Sequence, residues 1–396
     1  MATPPTEIHA VAAPANRWLP VAAYGAASAA NQMLWLTYAP VTTEAAHHYG
    51  VSIGAIGWLS QIFPMLYVLL ALPMGRIIDR WLPQGLAAGA ALTAIGAIIR
   101  LGGASFAVVL IGQVLIAIAQ PLILNAVTRL PASYLRPESR ATGIAVASAG
   151  TFAGMVCALL LGALIGGRQI YTLLVVQAAL GVAAAIWLTA ALRIRREHAP
   201  VDAERVALRR VLGDPLIRIL TGMVLAGFGV FVAMTTWLQP LLAPAGITET
   251  QAGLLLLTMV LAGVIGAAVL PTAIVRAHGE RAFLCIAVAA AALCCLLLAV
   301  VPTLPTAFLA VIIVGAALLT ALPVILEIAE RRAGPAGGSA TALLWMAGNF
   351  GGLLVAVIVQ LLVHQPAVSF VVMSACLVAA LPLLRPLRDY LPRPRQ

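Results

Sequence analysis

The chain is a succession of apolar runs of about twenty residues or more, and almost none of them carries a charge. Hydrophobic residues make up 62% of its 396 positions and charged residues 9%, where soluble domains sit near half and a quarter. That composition excludes a soluble globular fold and also intrinsic disorder, which needs low hydrophobicity and high charge. The solvent for most of the chain is lipid. Runs this long and unbroken fit transmembrane helices, whereas barrel strands are short and alternate. At about 33 residues per span and connection the length allows about twelve helices.

The spans read as 18–40, 52–74, 84–101, 105–128, 138–164 and 169–192, then 215–242, 250–275, 281–301, 305–328, 337–362 and 367–385. These divide the chain into a tail (1–16), a first six-helix bundle (17–192), a linker (193–214), a second bundle (215–385) and a second tail (386–396). The linker, RIRREHAPVDAERVALRRVLGD, is the one long polar stretch and reads as an amphipathic cytoplasmic segment. Residues 1–16 contain no base before an apolar core, so they read as a disordered cytoplasmic tail rather than a signal peptide.

All 23 basic residues are arginine, and the formal net charge is +10. The arginines lie singly or in short clusters between apolar runs, which argues for membrane topology and against a nucleic-acid partner. With the N-terminus inside and twelve spans, 21 arginines fall on the cytoplasmic side; Arg100 and Arg168 alone fall outside. This is a strong positive-inside asymmetry, and adding or losing one span would scramble it. The expected location is a bacterial cytoplasmic membrane, with both termini inside and the chain a monomer. The cysteines Cys157, Cys285, Cys294, Cys295 and Cys376 all lie in apolar runs without a CxxC, and read as small buried hydrophobes.

The halves repeat. Gly50-Val51-Ser52, Gly57 and Arg80 recur as Gly246-Ile247-Thr248, Gly253 and Arg276 at an offset of 196. Pro121, Asn125 and Arg129 match Pro323, Glu327 and Arg331 at 202, and the glycine-rich run 150–154 matches 348–352 at 198. Three matches in order point to two parallel six-helix halves. The expected fold is all-α, twelve transmembrane helices in two pseudo-symmetric bundles, the major facilitator architecture.

Gly75-Arg76-Ile77-Ile78-Asp79-Arg80 resembles the signature that follows the second span in that superfamily, with Trp81-Leu82-Pro83 replacing its end. An Asp at a cytoplasmic helix end can pair with an arginine and with a helix N-terminus. Gly75, Asp79 and Arg80 therefore form a candidate conformational latch, with Arg140 or Arg129 and the start of the eleventh span near Ser339 as partners.

A narrower resemblance covers about residues 20–165. Asn31-Gln32-Met33-Leu34-Trp35-Leu36-Thr37-Tyr38, Tyr49-Gly50-Val51, Trp58-Leu59-Ser60, Ile99-Arg100-Leu101-Gly102 and Ala119-Gln120-Pro121 are similar to the feline leukaemia virus subgroup C receptor-related transporters. That resemblance implies a site between the halves for choline-like amines, or haem. It implies that Trp35 faces a quaternary ammonium and that Gln120 meets the polar end of the substrate. Asn349 stands where the branch has a second glutamine. The branch's second aromatic falls on Val232, with Phe231 or Trp237 as substitutes.

Without the resemblance, polar side chains at bilayer depth are either functional or interhelical glue. Asn31, Gln120 and Asn349 lie in spans 1, 4 and 11 and are site candidates, whereas Gln113, Gln177 and Gln360 read as glue or lipid-facing. Trp35, Tyr38, Trp237 and Trp345 could give a cation a π face, or belong to the interfacial belt or a gate. No histidine lies within a span, which argues against an intramembrane hydrolase or a metal site. No cofactor is expected. Acidic residues read as loop-borne except Glu327, a possible proton carrier one turn from Arg331. Arg100 reads as an extracellular end residue, leaving no buried base to hold an anion. The expected function is alternating-access uniport of a small organic solute, an amine or cation. A proton-coupled exporter using Glu327 and a non-transporting receptor are the alternatives, and an enzyme is the remotest reading.

Overall fold

The computed structural model describes residues 16–102, 105–166, 169–194, 211, 213–333 and 337–390. The tail ahead of residue 16, most of the linker, Arg168 and the last six residues lie outside the described residues. Fourteen α-helices are described. In the first half these are α1 (Trp18–Trp35), α2 (Thr42–Tyr49), α3 (Ile53–Arg80), α4 (Leu82–Ile99), α5 (Phe106–Leu124), α6 (Arg129–Tyr134), α7 (Pro137–Ile165) and α8 (Ile170–Ala191). In the second half they are α9 (Pro215–Leu242), α10 (Glu249–Arg276), α11 (Glu280–Val300), α12 (Leu304–Ala333), α13 (Gly337–Leu361) and α14 (Pro366–Ala380). Helices α2 and α6 are short connectors, and the other twelve are the long ones.

Eleven of the twelve are long and apolar enough to cross a membrane. The exception is α1, which carries Ser28, Asn31 and Gln32. Thirteen of its eighteen residues are buried, so its surroundings are protein rather than lipid.

The internal repeat reappears as packing. Helix α1 crosses α7 as α9 crosses α13; α3 packs on α5 as α10 packs on α12; α4 packs on α8 as α11 packs on α14. The glycine runs aligned at 198 make the first of these crossings close. A Cβ on Gly154 would fall 2.0 Å from the Ala29 carbonyl oxygen, and one on Gly351 would fall 2.0 Å from that of Leu225. Small residues at such crossings let backbones touch where lipid supplies no hydrophobic drive.

The two halves meet along α3 with α13 and α7 with α10. One end of the molecule, here the basic end, carries Arg17, Arg80, Arg129, Arg218 and Arg331 at helix termini. There, each half has its own apolar cluster, one built around Tyr24, Leu86 and Leu130 and the other around Leu220, Ile325 and Leu344. Towards the other end, the sealed end, a single core joins Leu34, Trp35 and Phe63 of the first half to Val230, Trp237 and Leu256 of the second.

Candidate functional site

Helix α1 sorts its polar residues by face. One residue turns a helix by 100°, and Asn31 and Gln32 point apart. The Asn31 Nδ2 donates to Thr93 Oγ1 on α4 (3.3 Å) and to the Ile116 carbonyl on α5 (3.1 Å), so it ties three helices of one half together. Ser28, Gln32 and Trp35 form an i, i+4, i+7 stripe. Ser28 Oγ lies 2.9 Å from Thr151 Oγ1 on α7, and the Trp35 indole N–H donates to the Ser60 carbonyl on α3 at 3.0 Å. Because α3 and α7 are the helices that meet the second half, this stripe faces the junction.

Among the described residues five buried side-chain amide atoms have no partner, on Asn31, Gln32, Gln61, Gln120 and Gln177, and of these Gln32 belongs to the stripe. Gln32 Nε2 and Gln120 Oε1 are buried without a hydrogen bond, on residues only 2% and 3% exposed. An unmet buried amide atom costs about 1–3 kcal/mol, and a polar solute could satisfy a donor and an acceptor held this way. Gln32 escaped the sequence reading; its helical phase between Ser28 and Trp35 is the signal that would have found it. The Trp35 ring packs at 6.3 Å from Phe63.

In the second half Asn349, also buried, donates from Nδ2 to the Trp345 carbonyl one turn back (2.9 Å). Phe228, absent from the sequence candidates, joins two of them: its ring lies 5.9 Å from Phe231 and edge-on to Trp345 at 5.8 Å. Behind it a small apolar recess of about 20 Å³, lined by Met223, Val224, Leu318 and Leu322, stays within the second half. Val232 is buried against Gly352.

Trp237 lies at the contact between the halves. Its indole N–H donates to the Ala356 carbonyl (2.9 Å), and its ring edge lies over Gly57 of the opposite half, where a Cβ would come within 2.1 Å. Three further links cross the halves at this end. Gln239 Oε1 accepts from the Thr43 amide and hydroxyl (3.1 and 2.9 Å), Glu249 Oε1 accepts from the Glu44 amide (3.1 Å), and Gln61 Nε2 donates to Gln360 Oε1 (2.8 Å). The N-cap position of α2 makes no side-chain cap of its own. Its orphan first-turn amides are therefore capped by side chains of the other half.

At the basic end Asp79 pairs with Arg129 at 2.8 Å, inside the first half. Arg140 instead donates to the Leu135 carbonyl (3.4 Å), and Arg80 lies over the Trp81 ring at 4.9 Å. Gly75 leaves room for Asn125, whose Nδ2 donates to the Ala71 carbonyl (2.8 Å). Glu327 is 42% exposed and ion-paired with Arg331, which also approaches Glu280 at 3.8 Å.

Three sequence expectations need correction. Arg100 is not an end residue facing water: it is fully buried, with the Thr37, Gln113 and Gln177 side chains around it. Glu280 is not loop-borne: it opens α11 and is 1% exposed. Cys157 is exposed, although Cys294 and Cys295 are buried. In each case periodicity gives the helix but not which way a residue at its end or on its face turns.

Two repeated bundles that share one apolar core beside a polar stripe and keep separate apolar clusters at the other end define the class: a membrane transporter. The description Major Facilitator Superfamily matches residues 22–356, and the chain belongs to that family. It is 28% identical over 382 residues to solute carrier family 49 member A3 of Danio rerio, covering 89% of this chain and 80% of that protein. It is also 28% identical over 155 residues to the choline/ethanolamine transporter FLVCR2 of Homo sapiens, covering 38% and 30%, which places it beside the FLVCR-related branch. Among solved structures, the nucleoside transporter NupG aligns with a TM-score of 0.69 at 14% identity over 93% of this chain and 98% of that one. A bacterial homologue of the lysosomal transporter Spinster aligns at 0.67 and 16% identity over 92% and 94%. Both likenesses concern the fold.

Proposed function

We propose that the protein carries a small organic amine across a cytoplasmic membrane by uniport, as a monomer, with the basic end and both termini in the cytoplasm. The observation that carries this reading is the stripe Ser28–Gln32–Trp35, which brings an indole and an unpaired amide donor to the junction between halves that share a large apolar core at the sealed end. Trp35 offers a ring to the cation, worth about 0.5–2 kcal/mol once desolvated. Gln32, Gln120 and Asn349 supply neutral dipoles for its polar end. Choline is the first probe because relatives are named for choline and ethanolamine transport.

Arg100 does not weigh against a cation, because its charge is turned into four acceptors and towards the carbonyl end of α1. With Glu327 ion-paired at the surface, the membrane potential is the driving force we assign. One unit charge gains about 2.3 kcal/mol per 100 mV, or about fifty-fold accumulation. Proteoliposomes given a potassium diffusion potential, negative inside, should accumulate labelled choline without a pH gradient, and Trp35→Ala should abolish it. Uptake that requires a pH gradient and ignores voltage would overturn the mechanism.

A further inference from the structure

Helix α1 stops at Trp35, and something must hold it there. Its repeat partner α9 does not have this problem. Trp237 stands 202 positions after Trp35, and α9 continues past it to Leu242. Trp237 is therefore fixed by helix on both sides, whereas Trp35 is the last residue of its helix, followed by turns and a short 3₁₀ segment at Ala39–Val41. The last carbonyls of α1 are orphaned and form the negative end of its dipole.

Arg100 meets that end. It lies just beyond α4, fully buried. Its Nη1 protons are shared among the Leu34 carbonyl (3.3 Å), Thr37 Oγ1 (3.1 Å) and Gln113 Oε1 (2.9 Å), and Nη2 donates to Gln177 Oε1 (3.2 Å). The same Leu34 carbonyl also accepts from Gln113 Nε2 (3.1 Å) and from the Thr37 hydroxyl (2.9 Å), and the guanidinium lies 5.9 Å from the Tyr38 ring centroid. Among the described residues no carboxylate pairs with Arg100. A buried guanidinium without a counter-charge is expensive. Here it joins α5, α8 and its own segment to the residue immediately before Trp35. The second half has Val300 and Val301 near the equivalent position, and no arginine.

We propose that Arg100 is a positioning residue for the substrate site, acting through the Leu34 carbonyl to set the rotation of the last turn of α1 and so the seat of the Trp35 indole on Ser60. Slippage by one residue at this end would swing Trp35 by 100°. Lysine keeps the charge but lacks the fork that reaches three helices at once. The proposal rests on the reading of Trp35 as a substrate contact, and its test has an arm that needs no substrate.

The test is Arg100→Lys in two backgrounds. In the otherwise native chain, labelled choline uptake should show a half-saturation raised about tenfold or more with maximal rate within about threefold. In a chain whose other six tryptophans are phenylalanine, Trp35 emission in detergent should shift to the red and become more open to acrylamide. If Arg100→Lys does not accumulate as folded protein, Gln113→Leu replaces it; it removes a donor to Leu34 and should move both readouts the same way. If choline proves not to be a substrate, the emission arm still decides. Unchanged Trp35 emission and quenching in a folded variant overturns the proposal, whether or not choline is carried.

Discussion

The sealed and basic ends are made from the same repeated helices, yet they are held by different kinds of contact. At the sealed end the stabilising contacts cross between halves: a shared apolar core, the Trp237 ring over Gly57, and the α2 amides capped by Gln239 and Glu249. At the basic end the polar pairs described stay within one half, Asp79 with Arg129 and Glu327 with Arg331, and each half keeps its own cluster. Contacts that cross the junction set the balance between conformations, while contacts inside a half hold the moving bodies rigid. A transporter that rocks two bundles must weaken the first set without losing the second.

The sharpest way to break this contrast is Gly57→Ala. The added methyl would overlap the Trp237 ring, and overpacking of this kind costs about 1–3 kcal/mol. The sealed end should open about five- to hundred-fold more often, read in a background without native cysteines as faster maleimide labelling of a cysteine at the buried Thr42, which makes no link to the other half. Adding Trp237→Ala should restore closure. Next, Glu249→Ala and Gln239→Ala should each cost about 1 kcal/mol as lost caps, or about fivefold faster labelling. Arg332→Gln should change the same labelling less than about twofold, since its pair with Asp214 is partly exposed and lies inside one half. Labelling raised more by Arg332→Gln than by Glu249→Ala would reverse the assignment of the two ends. The smallest effect belongs to Glu327→Gln, which should leave voltage-driven choline uptake unchanged, because that pair is a surface i, i+4 contact.

Much of the fold can be read from the sequence because a lipid solvent makes span length and composition decisive. The twelve runs appear as twelve long helices, and the glycine runs at 150–154 and 348–352 lie where α7 and α13 cross their partners. The site is less legible. Gln113 and Gln177 read as glue, and both hydrogen-bond Arg100. The burial of Arg100 itself could not be foreseen, since a base next to an apolar run snorkels as readily as it turns inward. Asn31 and Gln32 are neighbours in sequence, and only helical phase relative to α3, α5 and α7 separates the one that ties helices from the one that faces the junction. Trp35 and Trp237 look alike in the repeat; their difference lies in where the helix ends, which a lone sequence marks poorly.

The most direct test of the central claim, that the halves exchange which end they close, is a pair of spin-label distances in a cysteine-free background. One pair, at His48 and Thr250, spans the sealed end, and the other, at Glu138 and Glu330, spans the basic end. Across lipid and ligand conditions the two distances should move in opposite senses, the first lengthening as the second shortens. Distances that lengthen together, or that hold still while transport proceeds, would contradict the account.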